Sequence, residues 1–183
     1  TFDISILELF APLLAGSCVV LALEGVARSG PALRGALEHP GLPSRPITVL
    51  QATPATWRML VHAGWRGDPS LRCLCGGDVF PVSLFAPLVP RVAAVYNLYG
   101  PTEATIWCTS FRLPSSSTAN LPSRGIPIGA PLPGVECFIR AQGSGRPRDV
   151  SVTSCLGEDL DGELLVSGPT LALGYLGQAE LTS

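Results

Sequence analysis

The sequence predicts an α/β fold in which a mainly parallel β-sheet is flanked by helices and leads into a smaller β-rich lobe. Over the first hundred residues, short apolar runs typical of buried strands alternate with segments that carry helix start and stop signals. After Phe111 the alternation ends, and prolines and glycines crowd residues 114–134. We therefore predict a central α/β subdomain over residues 1–112 and the start of a β-rich subdomain over residues 113–183, both parts of one incomplete domain.

The first predicted elements are a helix and a buried strand. Ser5 and Glu8 have the spacing of a capping box, in which the serine closes the helix N-terminus and the glutamate reaches back to it. Pro12 is expected to kink or end this helix, and Gly16 to finish the turn. Residues 18–23, Cys-Val-Val-Leu-Ala-Leu, form a continuous apolar run that predicts a buried strand.

The strands and helices that follow alternate regularly. A helix near residues 32–38 returns the chain to a second strand at residues 47–51. Thr53 is expected to cap the next helix and Pro54 to occupy its first position, and this helix runs to about residue 63. The remaining elements of this part are a strand at 71–75, a helix at 81–88 and a strand at 92–96.

The β-rich part is predicted from two apolar runs. Strands at residues 135–140 and 163–167 flank the segment 141–159, which is rich in Gly, Ser and Arg. We interpret that segment as a surface excursion rather than a site.

Composition excludes several classes of function. Charged residues make up 14% of the chain and the net charge is -2, so no basic surface for nucleic acid is expected. All 12 basic residues are arginines, which excludes lysine chemistry. The six cysteines and two histidines have no zinc-site spacing and suit a reducing, cytoplasmic compartment. The apolar residues 13–23 fall short of the roughly 18 that a membrane span needs, so no membrane association is expected.

Three predicted strand ends carry unusual residues. Gln51 ends the second strand, Gly-Gly-Asp at residues 76–78 follows the third, and residues 97–103 follow the fourth. In a parallel sheet such ends meet at one edge, where ligands bind. Two adjacent glycines also let a planar ligand approach the backbone, because no side chain blocks it.

The segment after the fourth strand combines three kinds of ligand group. Tyr99 offers an aromatic face for a base, Thr102 a hydroxyl for a phosphate oxygen, and Glu103 a hard carboxylate suited to magnesium. Gly100 and Pro101 hold the turn between them. The alternative is a tight loop with an ordinary N-cap, and the residue chemistry alone leaves both interpretations open.

Residues 96–103, Tyr-Asn-Leu-Tyr-Gly-Pro-Thr-Glu, resemble the N-x-Y-G-P-T-E motif of the adenylation domains of nonribosomal peptide synthetases, within the AMP-dependent synthetase and ligase family. Further stretches similar to the family's motifs lie, in the family's order, at residues 2–10, 75–78, 126–131 and 162–182. The resemblance covers nearly the whole chain. It implies a ligase that joins an amino acid to AMP with release of pyrophosphate and passes it to a carrier-protein phosphopantetheine.

The resemblance also implies cofactors, partners and residue roles. ATP and Mg²⁺ would be the cofactors, and peptidyl carrier and condensation domains the partners. Tyr99 would stack on adenine, Thr102 would contact phosphate, and Glu103 would bind the metal, with the last two as the catalytic residues. The other nucleotide-binding positions are Gly77, Asp78, Asn97 and Gly100.

The matching substrate pocket is small. Asp3 would pair with the α-ammonium of the amino acid, although it could also simply cap the first helix. The other pocket positions are Ile4, Leu7, Gln51, Leu74, Gly76, Leu98, Ile106 and Trp107. This set is similar to the family's glycine type, so glycine is the first choice of substrate and alanine the second.

Two other functions remain open at this stage. One is an acyl-CoA or aryl-acid ligase of the same superfamily, which Asp3 argues against. The other is a non-catalytic binding or scaffold module that keeps the fold. The family's upstream phosphate loop and its C-terminal lysine lobe have no counterpart in these 183 residues, so the fragment itself is expected to be inactive.

Overall fold

The fold is described from a computed structural model, which covers residues 3–39, 46–141, 149–151, 161–178 and 180. The described residues form two compact units. The first is made of the described residues within 1–98 and 111–128, and the second of those within 99–110 and 129–183. The domain boundary predicted at residue 112 stays a prediction.

The first helix, α1 (Ile4–Leu14), begins earlier than the predicted capping box. Asp3 is its N-cap, and the backbone N–H of Ile4 donates to Asp3 Oδ1 at 2.8 Å. Ser5 therefore lies inside the helix and the capping-box prediction was wrong, because aspartate caps a helix as well as serine does. Pro12 lies within the helix rather than ending it, and Gly16, at φ 68°, closes the turn as predicted.

The predicted strand at residues 18–23 is absent, and this prediction was wrong. The segment forms neither helix nor strand, and the side chains of Val20, Leu21 and Leu23 are exposed. A β-strand forms only where a neighbouring strand pairs with its backbone N–H and C=O groups. An apolar run in the sequence does not show whether such a strand is present. Five apolar side chains of α1 are exposed as well: Ile6, Leu9, Phe10, Leu13 and Leu14.

The second helix, α2 (Gly30–Glu38), confirms the helix predicted near residues 32–38. Ser29 is its N-cap and accepts a hydrogen bond from the backbone N–H of Ala32. An ion pair between Arg34 and Glu38, one turn apart, lies on its surface at 3.3 Å.

Five strands form a mixed sheet in the order β1-β2-β3-β4-β5. Strand β1 pairs in parallel with β2, β2 pairs in parallel with β3, and β4 pairs antiparallel with β5. The strands span Val49–Ala52, Asp68–Gly76, Val92–Tyr99, Thr109–Arg112 and Ala130–Pro131. This confirms the predicted α/β class with a sheet flanked by helices.

Helices α3 (Pro54–His62) and α4 (Val82–Leu88) connect the parallel strands. Pro54 opens α3 as predicted, but Thr53 makes no side-chain capping bond, and its hydroxyl lies 3.3 Å from that of Thr56 instead. The core beneath these helices contains Trp57, Leu60 and Leu88, together with Leu71, Cys73 and Cys75 from β2.

The second unit contains an antiparallel sheet in the order β7-β6-β8. Its strands are β6 (Glu136–Ala141), β7 (Asp149–Ser151) and β8 (Gly162–Ser167), and the first and last confirm the predicted strands. Ala104, Cys108, Val135 and Cys137 form its buried core. Most of the segment 141–159 lies outside the described residues, and within it Asp149–Ser151 pairs with β6.

Short 3₁₀ turns at Val26–Arg28, Val89–Arg91 and Thr102–Ala104 complete the assigned elements of the described chain. Within the ranges described, no helix has the length and apolar character needed to cross a membrane.

A glycine contact in the first unit generates a stability prediction. Gly67 adopts φ 102°, and a Cβ there would overlap the backbone oxygen of Arg91 and lie 2.8 Å from its Cα. We expect Gly67→Ala to lower the free energy of unfolding by about 2 kcal/mol or more, because both the positive φ and the backbone contact disfavour a side chain. Urea denaturation followed by tryptophan fluorescence measures this change.

The matched control is Gly35→Ala in α2, where a Cβ meets no atom within 4 Å. Alanine favours a helix interior by up to about 1 kcal/mol over glycine, so this variant should be unchanged or more stable. Equal effects of the two substitutions would contradict the contact seen at Gly67.

Candidate functional site

The parallel register brings the predicted strand-end residues of the first unit onto one face of the sheet. Gln51 of β1 lies opposite Leu74 of β2, and Gly76 lies opposite Leu98 of β3. Side chains alternate along a strand, so Leu74 and Gly76 face away from Cys73 and Cys75, which are in the core. Three strands thus contribute neighbouring positions to the same face.

Helix α1 lies against this face at the same end of the strands. A Cβ placed on Gly77 would be 3.7 Å from Ile4 Cδ1. The side-chain amide of Gln51 donates to Glu8 Oε1 at 3.0 Å. The structure therefore brings Ile4 and Gln51, both predicted pocket residues, to the ends of the strands, and Leu7 of α1 is half-buried.

The Gly-Gly-Asp segment after β2 is a tight turn. Gly77 adopts φ 80°, which a side chain would disfavour. Asp78 is exposed, and its carboxylate accepts a hydrogen bond from the backbone N–H of Val79 at 2.7 Å. The turn leaves the backbone at Gly77 exposed.

Asn97 has a structural partner that the sequence did not reveal. Its side chain is buried, and Nδ2 donates to the backbone oxygen of Pro127 at 2.8 Å. Strand β3 continues through Asn97 to Tyr99, so these residues lie on the strand and not after it as predicted. The ladder with β2 continues here because Cys75 and Gly76 pair with Asn97 and Leu98.

In the second unit, the chain from Tyr99 to Cys108 forms a closed loop. The backbone N–H of Cys108 donates to the Tyr99 oxygen at 2.8 Å. A Cβ on Gly100 would overlap the Ile106 backbone oxygen and lie 2.7 Å from Trp107 Cα, so only glycine fits. Tyr99 is exposed, whereas Trp107 is buried.

The loop holds two residues in a strained conformation. Thr105 and Ile106 have φ values of 59° and 72°, and they are the non-glycine residues with positive φ among those described. A β-branched residue such as Ile106 is rare in this region, and strain of this kind clusters at functional sites. The Thr105 hydroxyl donates to the Thr170 backbone oxygen, which helps to hold the turn.

Glu103 lies in the 3₁₀ turn Thr102–Ala104 with its carboxylate exposed. The Tyr175 hydroxyl donates a hydrogen bond to Glu103 Oε1. This hydrogen bond, with a smaller backbone contribution, lowers the pKa of Glu103 and raises that of Tyr175. Thr102, next to it, is exposed.

Within the described part of the chain, no group of three or more His, Cys, Asp or Glu could hold a metal. A single carboxylate still suits magnesium, because this ion is commonly held by one or two carboxylates together with substrate phosphates. The donor set at Glu103 therefore fits a metal that arrives with a nucleotide.

The buried cysteines are not nucleophiles. Burial raises the pKa of the Cys75 thiol to about 12, and it also raises the pKa of Cys73, Cys108 and Cys137. These thiols are protonated at neutral pH and contribute packing to the two cores.

Three partners were missed by sequence reasoning. The sequence predicts Glu8 as a capping-box residue, places Tyr175 in a motif without a role, and does not link Pro127 to Asn97. Each pairs with a residue far away in the chain, so no local spacing could have revealed the contact. The motif matches at residues 126–131 and 162–182 were the only signal for two of them.

Comparisons with known proteins find a matching family and several relatives. A sequence profile of the family described as AMP-binding enzyme matches residues 1–176. The chain is 34% identical over 184 residues to the PKS-NRPS hybrid synthetase acdB of Aspergillus candidus, covering 100% of this chain and 6% of that protein. It is 34% identical over 183 residues to the dimodular nonribosomal peptide synthase of Bacillus subtilis (strain 168), covering 100% of this chain and 7% of that protein.

Two crystal structures of similar fold contain bound ligands. A four-domain nonribosomal peptide synthetase, holo-AB3403, bound to AMP and glycine, matches with a TM-score of 0.81 and 35% identity, over 100% of this chain and 12% of that one. The Vibrio cholerae adenylation domain AlmE, in complex with glycyl-adenosine-5'-phosphate, matches with a TM-score of 0.80 and 27% identity, over 100% of this chain and 32% of that one.

The contact at Gly100 generates a prediction about the loop. We expect Gly100→Ala to raise the alkylation rate of the buried Cys108 thiol, because a side chain would push Ile106 and Trp107 away. A loss of about 2 kcal/mol in local opening free energy corresponds to about a 30-fold faster reaction. Iodoacetamide labelling of the folded protein, read by mass spectrometry of the Cys108 peptide, measures it.

The Gly35→Ala variant serves as the control, since its new side chain meets no atom within 4 Å and α2 is not part of the loop. An unchanged Cys108 labelling rate in Gly100→Ala would show that the loop accommodates the side chain.

Proposed function

The chain belongs to the AMP-binding enzyme family, and we propose that the protein containing it activates glycine as glycyl-AMP for transfer to a carrier-protein phosphopantetheine. Alanine is the second choice of substrate. The chain spans 6% and 7% of the two curated relatives named above, so the activity is proposed for the full-length protein. The single observation that carries the proposal is the position of the Asp3 carboxylate at the start of α1, next to Ile4, whose side chain lies against the strand ends.

The amino-acid class follows from the charge of Asp3. A carboxylate at a pocket pairs with an α-ammonium group, whereas fatty and aryl acids offer no such partner. Asp3 Oδ1 accepts a hydrogen bond from Ile4, and a carboxylate has capacity for further donors at both oxygens. The cap and the proposed ion pair are therefore compatible.

The small substrate follows from the size of the surrounding side chains. Leu74 is half-buried and Leu98 buried on the face of the sheet that carries Gly76, and Ile4 lies near Gly77. The amide of Gln51 is engaged by Glu8. Bulky side chains of this kind reject large substrates by size, and the glycine ligands of the two similar crystal structures support the choice.

Thr102 and Glu103 are the proposed catalytic residues. The exposed Thr102 hydroxyl and the backbone of its turn would bind a phosphate oxygen, and the ionised Glu103 would hold magnesium. Bound magnesium supplies charge neutralisation on the phosphates. The protein's share is to orient the carboxylate of the substrate for in-line attack at phosphorus, so catalysis is mainly positioning and electrostatics.

The remaining assignments concern the nucleotide and the partners. Tyr99 would stack on adenine, and Gly100 would hold the loop that carries it. Gly77, Asp78 and Asn97 are the other proposed nucleotide-binding residues. ATP would supply the AMP group. A peptidyl carrier domain would receive the activated amino acid on its phosphopantetheine, and a condensation domain would be a further partner.

The proposed substrate is tested by ATP–pyrophosphate exchange with the full-length protein. We expect glycine to support the fastest exchange and alanine to be about 10–200-fold slower, since one methylene in a pocket is worth about 1–3 kcal/mol. Larger amino acids should be slower still. Exchange with aryl or fatty acids, and none with amino acids, would contradict the proposal.

The role of Asp3 is tested by two substitutions that separate charge from capping. Asparagine caps a helix about as well as aspartate, whereas alanine loses about 1 kcal/mol. We expect Asp3→Asn to keep the unfolding temperature but to lower kcat/KM for glycine by about 30-fold or more, because breaking a desolvated charge pair costs about 2–5 kcal/mol. If Asp3→Asn is fully active and only Asp3→Ala is impaired, Asp3 is a cap and nothing more.

A further inference from the structure

Residues 168–175 of the second unit make three contacts with the turn that carries Glu103. The backbone N–H of Ala172 donates to the Glu103 backbone oxygen at 2.7 Å. The Thr105 hydroxyl donates to the backbone oxygen of Thr170. The third contact is the hydrogen bond from the Tyr175 hydroxyl to Glu103 Oε1. The first two contacts therefore hold the turn, and the third holds the Glu103 side chain.

The side-chain contact matters because Glu103 is exposed. A free glutamate samples many rotamers, and holding it in one of them costs conformational entropy. The Tyr175 hydrogen bond selects one arrangement before any ligand binds. It occupies Oε1, while a carboxylate keeps lone pairs on both oxygens, so Oε2 stays available for a cation.

The position of Tyr175 depends on close packing earlier in the same segment. Gly168 adopts φ 138°, and a Cβ there would lie 2.5 Å from the Gly134 backbone oxygen. The segment leaves β8 at this glycine and passes Glu103 at Ala172 before it reaches Tyr175. The backbone of the segment that carries Tyr175 is therefore held at Gly168 and at Ala172.

We propose that Tyr175 is a positioning residue, which orients the Glu103 carboxylate to bind a divalent cation accompanying nucleotide phosphates. The inference rests on the proposed function and adds a residue to it. Ligand-orienting hydrogen bonds of this kind alter metal affinity by about 10–100-fold when they are removed. The effect belongs to metal binding and not to the fold.

The test uses the full-length protein and the Tyr175→Phe variant, which keeps the ring and loses the hydroxyl. In the first measurement, glycine-dependent pyrophosphate exchange is followed across a range of Mg²⁺ concentrations. We expect the half-saturating Mg²⁺ concentration to rise by about tenfold or more, with the rate at saturating Mg²⁺ close to wild type. In the second, Mn²⁺ binding with a non-hydrolysable ATP analogue is measured by electron paramagnetic resonance, and the Mn²⁺ affinity should fall by a similar factor.

Two further variants separate positioning from structure. In a Glu103→Ala background, Tyr175→Phe should cause no additional loss of Mn²⁺ affinity, because the group that it orients is gone. Ser116→Ala removes a hydroxyl that lies 2.8 Å from that of Thr118 in an exposed turn, and it should change neither measurement. Thermal unfolding of all variants reports whether the fold is intact.

The outcomes distinguish this inference from the proposed function. Unchanged Mn²⁺ affinity in Tyr175→Phe overturns the inference, whether or not exchange occurs. So does an equal loss in the Glu103→Ala background. A wild-type protein that binds Mn²⁺ with the analogue, and loses that binding in Tyr175→Phe, but exchanges pyrophosphate with no amino acid, supports the role of Tyr175 and contradicts the proposed function instead.

Discussion

The parallel hydrogen-bond register of β2 with its two neighbours is the constraint on which the first unit depends. Strand β2 lies between β1 and β3, and its side chains alternate between two faces. Leu71, Cys73 and Cys75 point into the core, whereas Leu74 and Gly76 point to the candidate site. A shift of one residue would exchange the two sets, burying the site residues and exposing the core. Burial of the core face therefore also fixes which residues can contact a ligand.

The elements predicted correctly from sequence are those with strong local signals. Helix α3 begins at the predicted helix-opening Pro54, and the predicted strands at residues 71–75 and 92–96 are mostly apolar. The errors occur where a local signal had a competitor or lacked a partner. Asp3 competed with Ser5 for the cap of α1, and residues 18–23 have the composition of a strand but no strand structure.

For the candidate site, the sequence predicts residue types but not the contacts between them. The motif resemblance predicts Asp3, Gly77 and the 96–103 segment as site residues, because those residue types occur together in a known order. These roles stay predictions. Three side-chain hydrogen bonds of the predicted site residues join positions 43, 72 and 30 residues apart: Gln51 with Glu8, Tyr175 with Glu103, and Asn97 with Pro127. Such pairs depend on the path of the whole chain, and a sequence pattern carries no distance information about them.

The 99–108 loop contains strained residues, and several contacts hold it in this conformation. Residues held at unfavourable φ cost about 1–3 kcal/mol each, and Thr105 and Ile106 are both in this state. The surrounding structure offsets that cost through the buried Ala104, Trp107 and Cys108, and through the backbone bond from Ala172 to Glu103. A turn restrained in this way needs little rearrangement when a charged ligand arrives, since its dipoles and carboxylate are already oriented. The same restraints that make the loop expensive to fold therefore prepare Thr102 and Glu103 for the role proposed for them.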